Sequence, residues 1–146
     1  MSKRAEALTI RLARIDEREQ LEALQRRASL ANENDRPHLE AHPDAIHLAP
    51  AQLANGQVLV AELDGRVAGF AAVVEGELDG LFVEPDLWRH GVGAVLVEAA
   101  THEARKRGLA LTVIANPHAL EFYEKCGFSS EGVVETRFGP GIRMSR

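Results

Sequence analysis

Cysteine, long apolar runs and an excess of basic side chains are scarce or absent in this 146-residue chain. Its one cysteine, Cys126, cannot form a disulfide within the chain, so we expect a reducing compartment, the cytoplasm. No segment approaches the roughly 20 apolar residues that span a bilayer, and the first residues lack the apolar core of a signal peptide. The sequence therefore predicts a soluble cytoplasmic protein with no membrane partner.

The charge balance is acidic, with 22 Asp and Glu against 17 Lys and Arg and a net charge of −5. A nucleic-acid-binding domain usually carries a basic patch, whereas both signs are mixed along this chain, so nucleic acid is not an expected partner. A small anion is still compatible with this balance, because it responds to local dipoles more than to net charge. With 45% hydrophobic and 27% charged residues, the composition predicts one globular domain over residues 1–146.

Hydrophobic periodicity and turn residues predict the first elements of the chain. A strand at 8–13 precedes a helix from about 17 to 29, with Asp16 and Glu19 spaced as a capping box at its start. The polar stretch from 31 to 55 contains three prolines, so short helical pieces or loops are expected there.

The rest of the chain alternates strands and helices. Three strands are predicted at Val58–Leu63, Arg66–Val74 and Glu77–Val83, the first two joined by a tight Asp64-Gly65 turn. They are followed by a helix from the Gly91-Val92-Gly93 turn to about Arg107, a strand at Leu109–Ala115, a helix at His118–Cys126 and two strands near Glu131–Phe138 and Ile142–Ser145 around a Gly139-Pro140-Gly141 turn. A strand–helix–strand unit needs parallel neighbours, whereas the meander is antiparallel. We therefore predict an α/β fold with a mixed sheet and helices on its faces.

The two glycines of LWRHGVGAVL, residues 87–96, predict a site for an anion. Neither a dinucleotide fingerprint nor a P-loop fits, because Leu96 stands where the first needs a small residue and the Gly-Lys-Ser or Gly-Lys-Thr of the second is missing. What remains is a short turn whose N–H groups face outward at a helix N-terminus, where a pyrophosphate can bind. Arg89 and His90 precede the turn, and no acidic side chain follows before Glu98. The alternative is that the glycines only allow tight helix–sheet packing.

Two segments together resemble the GNAT superfamily of N-acetyltransferases. The family's pyrophosphate loop starts with Gln or Arg, has Gly at its fourth position and Gly or Ala at its sixth, and lies over Trp88–Gly93. The family's later signature is matched by Asn116, Ala119, Phe122-Tyr123 and Gly127-Phe128. Trp88 departs from the pattern, so that one polar contact to phosphate is lost or the ring packs on the sheet instead. The resemblance is specific in residues 77–128 and extends to the element order of nearly the whole chain.

This resemblance implies a GNAT-like fold of about seven strands and four helices, and acetyl transfer from acetyl-CoA to a small-molecule or peptide amine in a ternary complex. The family's cofactor lies where strand 77–83 splays from strand 109–115, and its pantetheine amides can pair with backbone around Leu81–Val83. A backbone N–H near Val83 would polarise the thioester carbonyl. The implied cofactor-binding residues are Leu81, Phe82, Val83, Trp88, Arg89, His90, Gly91, Val92, Gly93, Ala94, Asn116, Ala119 and Tyr123.

Acetyl transfer needs two proton transfers, and the resemblance implies a residue for each. Tyr123 matches the family's general acid, since a phenol with a pKa of about 10 is protonated at neutral pH and can donate to a thiolate. Glu77 matches the base glutamate of some members, and strand alternation would place Glu77 and Asp79 on one face with Leu81 and Val83. Packing of Tyr123 and plain solvation of the two carboxylates are the alternatives.

The acceptor is expected beside the segment between the first helix and the second strand, which commonly lines the acceptor site in this family. Four carboxylates of this segment favour a cationic amine. They are Glu33, Asp35, Glu40 and Asp44. Solvation of these side chains in a polar loop is the alternative.

The same segment contains HLEAHPDAIH, which raises the question of a metal. His38 and His42 are four residues apart, but Pro43 disfavours a helix at His42, so we expect no metal. The alternative function is a non-catalytic acyl-CoA-binding or regulatory module on the same fold. A homodimer is left open as the assembly.

Overall fold

Seven strands of the computed structural model, which describes residues 8–146, form one mixed sheet. They are β1 (Leu8–Leu12), β2 (Val58–Leu63), β3 (Arg66–Val74), β4 (Glu77–Val83), β5 (Thr112–Ala115), β6 (Ser129–Thr136) and β7 (Gly139–Ser145). Their spatial order is β1-β2-β3-β4-β5-β7-β6, in which β4 and β5 are parallel and the other neighbours antiparallel. The predicted mixed sheet is confirmed.

Helices cover both faces of this sheet. Residues 8–146 contain five α-helices, against about four expected: α1 (Arg18–Ala31), α2 (Arg36–Ala41), α3 (Pro50–Ala54), α4 (Val92–Lys106) and α5 (Leu120–Lys125). Single turns of 3-10 helix lie at Ile15–Glu17, Pro43–Ala45, Pro85–Leu87 and Pro117–Ala119. The polar stretch from 31 to 55 forms short helical pieces, as predicted.

Apolar side chains fill two cores, one on each face of the sheet. Leu21 and Leu24 of α1 are fully buried in one core, and Leu96 of α4 is fully buried in the other. The consecutive β2 residues Leu59 and Val60 belong to different cores, because successive side chains of a strand point to opposite faces. The helices α1 and α4 therefore lie on opposite faces. Truncating one of these leucines to alanine would cost about 2–5 kcal/mol.

Tight turns join the three strands of the meander. Asp64 and Gly65 between β2 and β3 have φ of 52° and 82°, and Glu75 and Gly76 between β3 and β4 have φ of 50° and 80°. Two consecutive positive φ angles give a turn whose twist matches that of the strands it joins. The predicted Asp64-Gly65 hairpin and the predicted bounds of β2, β3 and β4 are confirmed.

A β-bulge interrupts the alternation of β4. Gly80 pairs with Ala72 and Leu78 with Val73, so Asp79 is an extra residue without an opposite partner. Beyond such an extra residue, each side chain lies on the face of the sheet opposite to the one that regular alternation predicts. Leu78 and Leu81 consequently contact the same core, although they are three residues apart. The expectation that Glu77 and Asp79 share a face with Leu81 and Val83 is therefore wrong.

The start of α1 also differs from the prediction. A 3-10 turn precedes the helix, and the buried Glu17 carboxylate accepts a hydrogen bond from the Arg14 N–H (2.7 Å). Arg11 donates two more hydrogen bonds to this carboxylate, each 2.8 Å long. The guanidinium of Arg11 lowers the pKa of Glu17 to about 2. Glu17 thus caps the first turn of this segment, a role that the sequence predicted for Asp16 and Glu19.

The last hairpin turns two residues earlier than predicted, at Arg137-Phe138. Thr136 closes this turn, since its Oγ1 accepts from the Phe138 N–H (3.1 Å) and donates to the Gly139 carbonyl (2.6 Å). Gly141 lies within β7, where an added Cβ would be 2.7 Å from the Ile114 side chain. The glycines of Gly139-Pro140-Gly141 therefore belong to the strand, and the predicted turn there is wrong.

The strand β5 begins three residues later than predicted. The Leu109 N–H donates to the Ala104 carbonyl (3.0 Å), so the chain closes the end of α4 before the strand starts. The Thr112 N–H then donates to the Gly76 carbonyl (2.8 Å), next to the first residue of β4. The result is a parallel neighbour for β4 that is four residues long.

Candidate functional site

The parallel strands β4 and β5 pair at one end and diverge at the other. At the closed end, Glu77 lies opposite Thr112 and Leu78 opposite Val113. At the open end, around Leu81–Val83, a cavity of about 590 Å³ lies between the strands and the starts of α4 and α5. Phe82 packs against the α1 core, whereas Leu81 and Val83 pack against the α4 core. The cavity is thus bordered by residues from both faces of the sheet.

The backbone of β4 at the open end faces the gap. Glu84 N–H donates to the Ala68 carbonyl (2.8 Å), which makes these two residues a hydrogen-bonded pair of the β3–β4 ladder. Hydrogen-bonded and non-hydrogen-bonded pairs alternate along an antiparallel ladder. Val83, which lies opposite Gly69, therefore belongs to a non-hydrogen-bonded pair, and so does Leu81, two residues earlier. The N–H and C=O groups of Leu81 and Val83 therefore point away from β3 and toward the diverging β5.

The loop before α4 has the backbone of an anion site. Arg89 and Gly91 have φ of 69° and 80°, and α4 begins directly after them at Val92. The first-turn N–H groups of a helix have no partner within it and favour negative charge. Gly93 lets this turn approach α5, since an added Cβ would lie 3.2 Å from the Phe122 ring. Gly93 therefore allows close packing of α4 against α5, and the predicted binding of an anion at this loop stays a prediction.

The indole N–H of Trp88 is hydrogen-bonded within the protein. Its indole N–H donates to the Val83 carbonyl (2.9 Å), and its side chain, 40% exposed, lines the cavity. The sequence left two alternatives for Trp88, a lost polar contact to phosphate or packing of its ring on the sheet, and this contact confirms neither in full. The N–H that could have met a phosphate binds the end of β4, and the ring forms part of the cavity wall.

Tyr123 is buried at the inner end of the cavity, with 8% of its surface exposed. Its ring packs edge-on against Phe122 and Phe128, with centroid distances of 5.1 and 5.3 Å. Its hydroxyl makes no hydrogen bond within residues 8–146. Burial raises the pKa of this phenol above its ordinary value of about 10. The hydroxyl is therefore a proton donor held in its neutral form.

The wall on the α1 side is polar. Asn32, Asn34 and Asp35, which follow α1, line the cavity opposite Asn116 and His118, which precede α5. The Asn34 N–H donates to Asn32 Oδ1 and the His118 N–H to Asn116 Oδ1, both at 2.9 Å. Both side-chain oxygens are thus used locally, while the side-chain amide N–H groups of Asn32 and Asn116 make no hydrogen bond within residues 8–146.

The end of β4 is tied to α1 by an ion pair. Arg27 of α1 donates to both oxygens of the buried Glu84 carboxylate, at 3.0 and 2.7 Å. This contact raises the pKa of Arg27. Glu84 directly follows Val83, so the pair holds the backbone at the open end in place.

Most of the predicted site residues are brought together at this cavity. The predicted cofactor residues that line it are Leu81, Phe82, Val83, Trp88, Arg89, Gly91, Val92, Gly93, Ala94, Asn116, Ala119 and Tyr123. His90 is exposed outside the lining, and Glu77 lies at the closed end. The structure therefore gives the predicted base role of Glu77 no geometric support. The lining residues that the sequence did not single out for the site are Ala28, Asn32, Asn34, Leu87, His118 and Phe122.

The histidine-rich segment takes part in aromatic contacts. His38 and His42 both lie edge-on to Phe138 of the last turn, with ring centroids 5.9 and 5.4 Å away. Within residues 8–146, no three His, Cys, Asp or Glu side chains are grouped as metal ligands. Over the same range, no helix combines the length and the apolar character needed to cross a bilayer.

Comparison with known families gives one extended match. Residues 19–128 match the model of the acetyltransferase (GNAT) family. Among curated proteins, the peptidyl-lysine N-acetyltransferase YiaC of Escherichia coli is 39% identical over 80 residues, which cover 53% of this chain and 53% of YiaC. The aligned segments span between 40% and 53% of the curated relatives' lengths.

Solved structures match over a longer range. The apo form of YjaB from Escherichia coli has a TM-score of 0.72 and 29% identity, and the match covers 95% of this chain and 97% of YjaB. The PaiA N-acetyltransferase of Thermoplasma acidophilum, solved in complex with coenzyme A, has a TM-score of 0.73 and 20% identity, over 96% and 99% of the two chains. The second likeness, at this identity, concerns the fold alone.

Proposed function

The chain belongs to the GNAT family of acetyltransferases, and from this premise we propose that it transfers an acetyl group from acetyl-CoA to an amine by direct attack in a ternary complex. The observation that carries this proposal is the cavity between the diverging strands. It is bordered by residues from both faces of the sheet, so that two substrates can meet at the open end of β4.

The residues present fit acetyl-CoA. Acetyl-CoA supplies, when bound, an acetyl group activated as a thioester. The first-turn N–H groups of α4 and the Arg89 side chain would hold its pyrophosphate, which explains the glycines and the positive φ angles of this loop. The N–H and C=O groups of Leu81 would hold the pantetheine arm as an added strand does.

Two groups at the open end would serve the acetyl transfer itself. The Val83 N–H, directed into the gap by the β3–β4 register, would donate a hydrogen bond to the acyl oxygen. Donors of this kind contribute about 10²–10³ in rate. The Tyr123 hydroxyl would donate a proton to the departing thiolate, and the proton that the attacking amine loses would pass to solvent water. Burial raises the pKa of this phenol, so it is protonated at neutral pH.

The reaction fits a reducing compartment, which we propose to be the cytoplasm. The single thiol, Cys126, is partly exposed and free. Burial raises the pKa of this thiol, so it is a weak nucleophile at neutral pH and no acyl-cysteine step is required.

The single tryptophan makes cofactor binding directly measurable. Trp88 lines the cavity, so acetyl-CoA and CoA should change its fluorescence saturably, whereas NADH and ATP should not compete. Calorimetry with the same four ligands provides the dissociation constants. Release of CoA thiol is then followed with a panel of amines. Binding without thiol release would favour the non-catalytic acyl-CoA-binding module, and no binding by the folded protein would refute the proposal.

A further inference from the structure

The cavity wall formed by Asn32, Asn34 and Asp35, here called the acceptor wall, contains one carboxylate, that of Asp35, which no other side chain within residues 8–146 binds. Of the four carboxylates in the segment between α1 and β2, Asp35 lines the cavity, whereas Glu33 and Glu40 are exposed outside it. Asp44 pairs with Arg137 (3.4 Å). Of the four carboxylates that were predicted to favour a cationic amine, Asp35 is therefore the one that lines the cavity.

Asp35 is also half-buried without a strong partner. It is the N-cap residue of α2, a position where Asp commonly accepts a backbone hydrogen bond, but its side chain makes no such bond. Within residues 8–146 its carboxylate takes part in no hydrogen bond or ion pair, and the side chains that act on it electrostatically are those of His38 and His118. A half-buried carboxylate without hydrogen bonds is costly unless a ligand compensates it.

The permanent charges of the cavity are divided between two walls. Of the residues within 8–146 that line it, Arg89 supplies the guanidinium and Asp35 the carboxylate. Arg89 belongs to the loop that leads into α4, and Asp35 follows α1, so the two charges come from elements on opposite faces of the sheet. An anion is favoured on the first wall and a cation on the second.

We propose that Asp35 receives the ammonium group of the acceptor. This inference rests on the proposed function, because it assigns the second substrate of the same cavity. The desolvation that raises the pKa of Asp35 agrees with it, since an incoming cation would relieve that cost. Asp35 is a specificity residue in this role, and neutral or anionic amines of the same size bind less well.

The test measures binding of ammonium probes to the CoA-loaded protein, by calorimetry and by NMR shifts of His118. The three probes are Nα-acetyl-lysine methylamide, alanine methylamide and 1,4-diaminobutane. They represent, in this order, a lysine side chain, a peptide N-terminus and a small diamine. N-acetyl-norleucine methylamide is the uncharged control. Asp35→Asn removes the charge at nearly constant shape, and Glu33→Gln removes a neighbouring charge outside the cavity.

We expect Asp35→Asn to weaken binding of the best ammonium probe about tenfold or more, with acetyl-CoA affinity unchanged, and Glu33→Gln to weaken it less than twofold. Equal binding by Asp35→Asn and the natural protein, an equal loss in Glu33→Gln, or no binding of any ammonium probe would overturn the inference. Binding that depends on Asp35 without acetyl transfer would leave the inference standing and refute the proposed function instead.

Discussion

The closed and open ends of the β4–β5 pair are built from the same two strands but use their backbone groups differently. At the closed end, Thr112 and Val113 pair with β4, and the Thr112 N–H is bonded to the Gly76 carbonyl. At the open end, the register directs the groups of Leu81 and Val83 into a cavity. Unpaired backbone inside a sheet is costly unless a ligand or water satisfies it, and this difference supports the proposed binding site at the open end.

The open end is held by side chains in place of strand pairing. Trp88 binds the Val83 carbonyl, and Arg27 binds the Glu84 carboxylate at two points. Strand pairing with β5 does not hold this end, since only Thr112 and Val113 pair with β4, and they do so at the closed end. Side-chain contacts thus fix the geometry of the open end, whereas strand pairs fix that of the closed end.

The largest effect is expected for Gly91→Glu at the open end. The substitution places negative charge and bulk where we propose that pyrophosphate binds, at the start of α4. Acetyl-CoA affinity should fall at least a hundredfold, measured by Trp88 fluorescence and calorimetry.

The matched control is Gly108→Glu, at the other end of the same helix. Gly91 and Gly108 both have a positive φ, 80° and 73°, and both have open space at the missing Cβ. The two variants therefore carry a similar backbone strain, but Gly108 lies about 22 Å from the loop along α4. Affinity should stay within twofold in Gly108→Glu. Equal losses in both variants would show that strain, not the proposed anion site, is responsible.

Tyr123→Phe should lower turnover about a hundredfold, with acetyl-CoA affinity within twofold. The hydroxyl bonds no other group within residues 8–146, so its removal should leave the thermal midpoint nearly unchanged. Since burial raises the pKa of Tyr123, the natural protein should show no loss of rate from phenol ionisation below pH 10. The measurement is thiol release over pH 6–10.

The double variant Phe122→Tyr, Tyr123→Phe is the control for this experiment. It keeps one phenol but moves it about 100° around α5. We expect no recovery of turnover, because the position of the hydroxyl decides its use. Unchanged turnover in Tyr123→Phe alone would remove this residue from the mechanism.

Local patterns predict the meander, whereas most of the cavity lining follows from the family resemblance. Asp64, Gly65 and Gly91 adopt positive φ angles, and a glycine or an Asp-Gly pair in a turn indicates such angles directly in the sequence. The facing of Glu77 could not be predicted, because one extra residue at Asp79 reverses it and the bulge depends on the register with β3.

The acceptor wall was also beyond prediction in detail. Asn32 and Asn34 lie in a polar stretch without periodicity, and their place in the cavity lining depends on where α1 ends. Among four similar carboxylates, burial distinguishes Asp35, and burial is a property of the folded chain.

A moderate effect is expected for Trp88→Phe, which keeps an aromatic ring in the cavity wall but removes the donor to Val83. Loss of one such hydrogen bond costs about 0.5–1.5 kcal/mol, so acetyl-CoA affinity should weaken about two- to tenfold in calorimetry. The thermal midpoint separates this local effect from unfolding. Tighter binding would mean that the indole competes with the cofactor for the Val83 carbonyl.

The smallest effect is expected for Glu77→Gln at the closed end. Glu77 lies four residues before Leu81, about 13 Å along the strand, and the bulge turns it to the other face. The ratio kcat/KM should change less than twofold from pH 6 to 9, with Asp35→Asn measured beside it as the open-end counterpart. A tenfold loss in Glu77→Gln that grows as pH falls would restore its predicted role as base, acting through water. The division between a structural closed end and a functional open end would then no longer hold.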